Sequence, residues 1–306
     1  NKFKVRINVF DNSDDKRTSN MIQEIKSNFK YLKYIKNNRN IGYVNNQIKC
    51  FEKSSSMYTA FLSDDDIYLS NAIEKILEVI NNNNELSFIA LNYYSFKNNF
   101  KIQHKNNFAP ARDVYFNRGY DVLNYPSVGH FSGFIFNTKL IQKEIIELKK
   151  KYGSNVSLEF EKHRGIVTLM ANISLSKSKL PSYFVGERIL AAREPDKFDY
   201  DLLNHLNYDN LIFYKNLFDD NVIKESDFNY KKSLVLKSLP KAIMIESLNK
   251  SSNEYNKIKI KFDSILDDDF KYKLFIRPLF TISQNSLIKI FWFISYKIYK
   301  IFKKWN

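Results

Sequence analysis

The chain has 306 residues, 44% of them hydrophobic and 26% charged, which is enough for one large domain or two smaller ones and too apolar for wholesale disorder. A single cysteine, Cys50, excludes an intramolecular disulfide and any Cys-x-x-Cys metal or redox site, and it points to a reducing environment. Lysine and arginine exceed the acids by 15, a balance that asks for an anionic partner: nucleic acid, nucleotide phosphates or an anionic membrane surface.

In chain order, Val5, Ile7 and Val9 alternate with polar neighbours and predict a strand over residues 4–10 that feeds the polar loop Asp11 to Asp15. Met21, Ile22, Ile25, Phe29 and Leu32 fall at helical spacing over residues 19–32, and Tyr34 and Ile35 open a short strand ending in the 37–42 turn. Residues 45–52 read as a helix, 57–62 as a buried apolar strand, and 70–80 as an amphipathic helix capped by Ser70. Further strands are expected at 87–94, 130–137 and 183–192, and helices at 140–151 and 166–173, with a polar stretch of no assigned structure up to about residue 127. This alternation is that of an α/β domain with a mainly parallel sheet. A boundary falls at the polar segment Arg193 to Asp196, after which helical periodicity runs without strands, so the expected domains are 1–196 and 197–306.

The densest chemical signal is Asp64, Asp65 and Asp66, three carboxylates directly after an apolar strand, where open α/β sheets place their ligands. Like charges in a row are tolerated where solvent or a hard cation compensates them. Asp11 also follows a strand, and Asn40, Ile41 and Gly42 with Asn46 form a turn opening a helix after the next strand. The ordered set VFDNS, NIGYVNN and FLSDDD resembles the nucleotide-sugar-binding half of GT-A glycosyltransferases, in particular family 2 enzymes of bacterial surface-polysaccharide assembly, over residues 1 to about 195.

That resemblance implies a GT-A, Rossmann-like fold. It implies that Asp66 holds Mg²⁺ or Mn²⁺ against the donor diphosphate, with Asp64 and Asp65 near metal and ribose, and that Asp11 contacts the donor base. It implies an inverting transfer from a nucleotide-sugar donor to a saccharide acceptor that is lipid-linked. The first strand and base-pocket loop with which family members begin have no counterpart before Asn1. Ser132, Gly133 and Phe134 look like the family's small-residue segment beside donor sugar and acceptor, Gly133 allowing close approach to the backbone. The catalytic base is expected at Glu161, with Glu159 and His163 as the competing candidates, and Arg193 or Arg188 could reach the diphosphate. Removal of Asp66 is expected to leave the fold intact, since it relieves repulsion at a sheet edge.

Residues 286–306 carry Lys289, Lys297, Lys300, Lys303 and Lys304 within an arc of about 120° at helical spacing, opposite Phe291, Ile298, Phe302 and Trp305. This reads as a basic amphipathic helix lying on an anionic membrane, so the chain is expected to be cytoplasmic and peripheral on the inner face of the cytoplasmic membrane. Nucleic acid is not an expected partner. The alternative to a metal-dependent transferase is a non-catalytic basic module binding membrane or nucleic acid, or a GT-A homologue without activity.

Overall fold

The computed structural model describes residues 5–106, 109–126, 128–153, 166–194, 201–285 and 287–288. The chain divides into two compact units, Asn1–Asp196 and Lys197–Asn306. In the first, β1 (Ile7–Asp11) and β2 (Leu32–Lys36) pair in parallel as a two-stranded sheet, Ile7 opposite Leu32 and Asp11 opposite Lys36. Between them lies α1 (Arg17–Ile25), shorter than its spacing suggests: a 3₁₀ turn (Lys26–Asn28) ends it, and the Ile7 amide bonds the Tyr31 carbonyl, drawing Leu32 into β2.

After α2 (Tyr43–Glu52) come β3 (Tyr58–Ala60), β4 (Ile67–Tyr68), α3 (Ala72–Asn82), β5 (Phe88–Phe96), β6 (Lys105–Asn106), β7 (Val114–Phe116), β8 (Phe134–Asn137), α4 (Thr138–Tyr152), α5 (Ile166–Lys177) and β9 (Ser182–Arg193). A second sheet has the order β3-β8-β5-β9-β4, with β6 on β5 and β7 on β9. The α/β class holds, but the pairing is mixed. Among the described residues of this sheet only β5 and β9 pair in parallel, and β3–β8, β5–β8 and β4–β9 are antiparallel. The cause is the excursion from 97 to 133, which returns the chain to the end of the sheet where β5 finished, so β8 must run backwards between β3 and β5.

β5 is buried on both faces. Ile89 and Leu91 pack with Val185, Ile189 and the Ala72, Ile76 and Val79 stripe of α3, while Phe88 on the other face meets Phe134 and Phe136 edge-on at about 5 Å. β3 is an edge strand with no fully buried residue, unlike the buried strand its apolar sequence suggests. α3 is preceded by Asn71, not Ser70, and without a side-chain cap bond. The stretch left unassigned by sequence contributes β6, β7 and a 3₁₀ segment (Gly119–Asn124), anchored where buried Tyr120 donates to Asn172 Oδ1 at 2.8 Å.

The second unit is helical among its described residues: α6 (Asp209–Asp219), α7 (Glu225–Asn249), α8 (Ser252–Leu266) and α9 (Arg277–Ile282), with π-helical turns at Asn204–Tyr208 and Tyr272–Ile276. α8 begins with a capping box, Ser251 and Glu254 bonding each other's backbone amides. Leu239, Ile243, Tyr255, Phe262, Tyr272 and Phe280 form its core. Among the described residues, no helix is long and apolar enough to cross a membrane.

Candidate functional site

β3, β5 and β9 run in one direction and β8 runs against them, so the chain leaves β3 and β9 and enters β8 at the same edge. The loop Ser63 to Asp66, the turn His130 to Gly133 and Arg193 therefore converge there. Asp66 joins them. Its Oδ2 accepts from Ser132 Oγ at 2.5 Å and faces His130 Nε2 at 2.7 Å, and its Oδ1 accepts the Arg193 amide at 2.9 Å. Asp66 is 7% exposed. Burial opposes its ionisation, but the bond and charge of His130, with the donors from Ser132 and Arg193, hold the carboxyl below its ordinary value.

Ser132 extends the cluster: its Oγ accepts the Ser63 amide at 3.0 Å and its carbonyl accepts Tyr68 Oη at 2.9 Å. Asp66 is thus a tie between three chain segments, and its loss would remove bonds from each of them. Asp64 and Asp65 are exposed. Among the described residues no three His, Cys, Asp or Glu side chains are grouped so as to hold a metal ion by themselves.

Asp11, at the end of β1, is equally committed. It accepts from the Ser13 hydroxyl at 2.6 Å, the Ser13 amide, Tyr34 Oη and Lys36 Nζ, and these donors outweigh burial to hold its carboxyl far below the usual carboxylate range. Asn12 binds the two loops together: its Oδ1 accepts from the Ile41 amide and Asn37 Nδ2, and its Nδ2 donates to Asn40 Oδ1 at 2.9 Å. Asn37 also donates to Asn46 Oδ1 at 2.8 Å. Gly42 precedes α2 at φ +80°, a conformation that only glycine adopts without strain. Asn40, Gly42 and Asn46 accordingly shape the loop between β2 and α2.

Gly133 is buried, and a Cβ there would meet the Leu91 carbonyl at 3.1 Å. The close approach its sequence suggested is made by β5. Arg193 is exposed beyond the amide that Asp66 holds, and Arg188, opposite Asn92, has a buried Nε with no hydrogen-bond partner among the described residues. Glu159, Glu161 and His163, the candidate bases, lie outside the described residues, as do Lys289 and the rest of the basic tail.

Sequence reasoning missed His130, Tyr68 and Tyr93. The His130 ring is 5.1 Å from that of Tyr93. The signal available was the pair His130 and Ser132, two residues apart at the start of a strand, but nothing local says that both face Asp66.

Residues 2–146 match the family model described as glycosyl transferase family 2. An uncharacterized glycosyltransferase of Methanocaldococcus jannaschii is 31% identical over 81 residues, 26% of this chain and 28% of that one. The chain thus spans little more than a quarter of that relative's length. Among solved structures, S. aureus TarS 1–349 superposes with a TM-score of 0.54 at 11% identity, covering 91% of this chain and 77% of that one. The same protein in complex with UDP-GlcNAc gives 0.53 at 12% identity, with 91% and 78% covered, and in complex with UDP 0.52 at 10%, with 91% and 77% covered. At such identities the likeness is one of fold.

Proposed function

We propose, since residues 2–146 match the family model described as glycosyl transferase family 2, that the chain moves a sugar from a nucleotide-sugar donor to a saccharide acceptor, with inversion, in assembly of a bacterial surface polysaccharide. The observation that carries this reading is the convergence on one sheet edge of the exposed Asp64 and Asp65, the Asp66 tie and the Arg193 backbone that Asp66 holds, directly beyond the strands of the sheet. Exposed carboxylates beyond a strand end suit a diphosphate that arrives with a divalent metal.

The residues fit Mg²⁺ or Mn²⁺ in a limited way. A cation carried on a diphosphate needs one or two protein carboxylates, and Asp64 and Asp65 would supply them, while Asp66, with both oxygens bonded to protein donors, would hold their loop in place. Such a cation supplies charge neutralisation of the departing diphosphate. Arg193 would add a second positive group, and a carboxylate or imidazole among Glu159, Glu161 and His163 would take the acceptor proton. The acceptor is lipid-linked in this reading. The basic segment 286–306 keeps the enzyme on the inner face of the cytoplasmic membrane.

Because the superposed TarS structures hold UDP and UDP-GlcNAc, a uridine diphosphate sugar is the first donor to try. At a free ligand concentration of about 100 Kd, binding should stabilise the fold by roughly 2.7 kcal/mol. Thermal shift with a panel of nucleotide sugars, with and without Mn²⁺, is expected to show metal-dependent stabilisation in the parent and none in Asp64→Asn/Asp65→Asn. If no nucleotide sugar raises the melting temperature under either condition, the inactive-homologue alternative replaces this proposal.

A further inference from the structure

From Phe270 to Ile282 the second unit forms one helical run, a π-turn over Tyr272–Ile276 continuing directly into α9. One side enters the core: Tyr272 and Phe280 are fully buried, Ile276 nearly so, and Tyr272 Oη donates to Asp263 Oδ1 at 2.8 Å. The other side is apolar and exposed. Phe270, Leu274, Pro278 and Ile282 recur every fourth residue, and the wider π-turn brings Phe275 out beside Leu274. Phe270 is 72% exposed, Phe275 61%, Leu274 53% and Ile282 44%. Single exposed apolar residues are ordinary, but a row of five on one short helical face is a contact surface.

Lys271 and Lys273 are exposed within the row, and from Phe270 to Ile282 the sequence holds three basic residues and no acid. Of the three aspartates just before it, Asp267 pairs with Arg277 and Asp269 with Lys232, and Asp268 is exposed. Arg277 is turned away, paired with Asp263 and Asp267 at 3.2 Å.

We propose that this face docks on an anionic lipid surface, with Phe270, Leu274, Phe275 and Ile282 entering the headgroup and acyl boundary and Lys271 and Lys273 at the level of the lipid phosphates. Neither element suffices alone: partial insertion of a few side chains is weak, and two surface lysines are screened by salt, but together they give selective attachment. A second copy of the chain fits less well, because it would press the same lysines together in a molecule of net charge +15, and lysine is depleted at protein interfaces. The inference rests on described helices that precede the basic tail and does not depend on the transferase reading.

The test is flotation of the full-length protein with vesicles of phosphatidylglycerol and phosphatidylcholine in equal parts, against phosphatidylcholine alone. Phe270→Ser/Leu274→Ser/Phe275→Ser should lose affinity for the anionic vesicles by roughly tenfold or more while melting at the parent's temperature, since all three positions are exposed. Lys271→Gln/Lys273→Gln should weaken binding and make what remains less sensitive to salt. Ile146→Ser, an exposed apolar position on α4, should change nothing. Parent-like binding by the triple variant would overturn the proposal, showing that another part of the chain carries attachment or covers this face. Absence of binding by the parent would overturn it as well. So would a triple variant that is monomeric where the parent is dimeric in light scattering, with vesicle binding unchanged.

Discussion

Replacing Asp66 by alanine sets two effects against each other. Relief of repulsion from Asp64 and Asp65 favours the variant, but both are exposed and screened, and such terms are worth under about 1 kcal/mol. Against this stand the three groups that Asp66 satisfies. The His130 ring is partly exposed and recovers water, whereas the Arg193 amide and Ser132 hydroxyl lose their acceptor in a buried site, at about 1–3 kcal/mol each. The net expectation is a loss of about 2–5 kcal/mol for Asp66→Ala. Asp66→Asn keeps Oδ1 for the Arg193 amide and offers an N–H₂ to which a rotated Ser132 hydroxyl and the other His130 tautomer can adapt, so its cost should be about 1–2 kcal/mol. Urea unfolding followed by circular dichroism gives both numbers, and hydrogen exchange at the Arg193 amide reports the tie directly, with protection retained in Asn and lost in Ala. If Asp66→Ala unfolds within about 0.5 kcal/mol of the parent, or if the Asn variant costs as much as the Ala variant, the tie is not what holds these segments together.

At Gly186, a Cβ would fall 2.2 Å from the backbone of Arg112, so Gly186→Ala should expel that segment, break the bond from the Gly186 amide to Asp113 Oδ1, and cost about 1–3 kcal/mol in urea unfolding, with faster tryptic cleavage after Arg112. Gly42→Ala imposes a side chain at φ +80° and should lower stability by about 1 kcal/mol, read in the same assay. Burial pulls Lys231 down to about 8 from its ordinary 10.5, with Asp227 opposing. Between those values the unfolded chain binds more protons than the folded one, so stability should climb as pH rises through that window, and Lys231→Met should flatten the climb in pH-resolved denaturation. Burial pushes the Cys50 thiol up to about 12, so at pH 8 it should react with a disulfide reagent far more slowly in the native protein than in urea.

The elements that sequence located well are those whose pattern and packing agree. α3 shows its apolar stripe, and β5 and β9 are apolar runs buried in the middle of a sheet. Leu32 was misplaced because helical spacing continues through residues with no stop signal, and only pairing with β1, a contact far along the chain, assigns it to a strand. β6 and β7 are two and three residues long, too short for any period to register. The triplet was legible as a location because strand ends are where sites belong. Which of its three carboxylates turns inward was not, since that depends on His130, Ser132 and Arg193, between 64 and 127 residues away.

Among the described residues, β1 pairs only with β2 and β3 only with β8, so each keeps one flank of backbone amides and carbonyls outside any ladder. Flanks of this kind recruit extended segments without regard to their sequence, and the exposed Ile7 and Leu62 beside them make the invitation stronger. Arg6, held to the Ser55 hydroxyl at 2.8 Å, stands at this margin as one charge against such pairing.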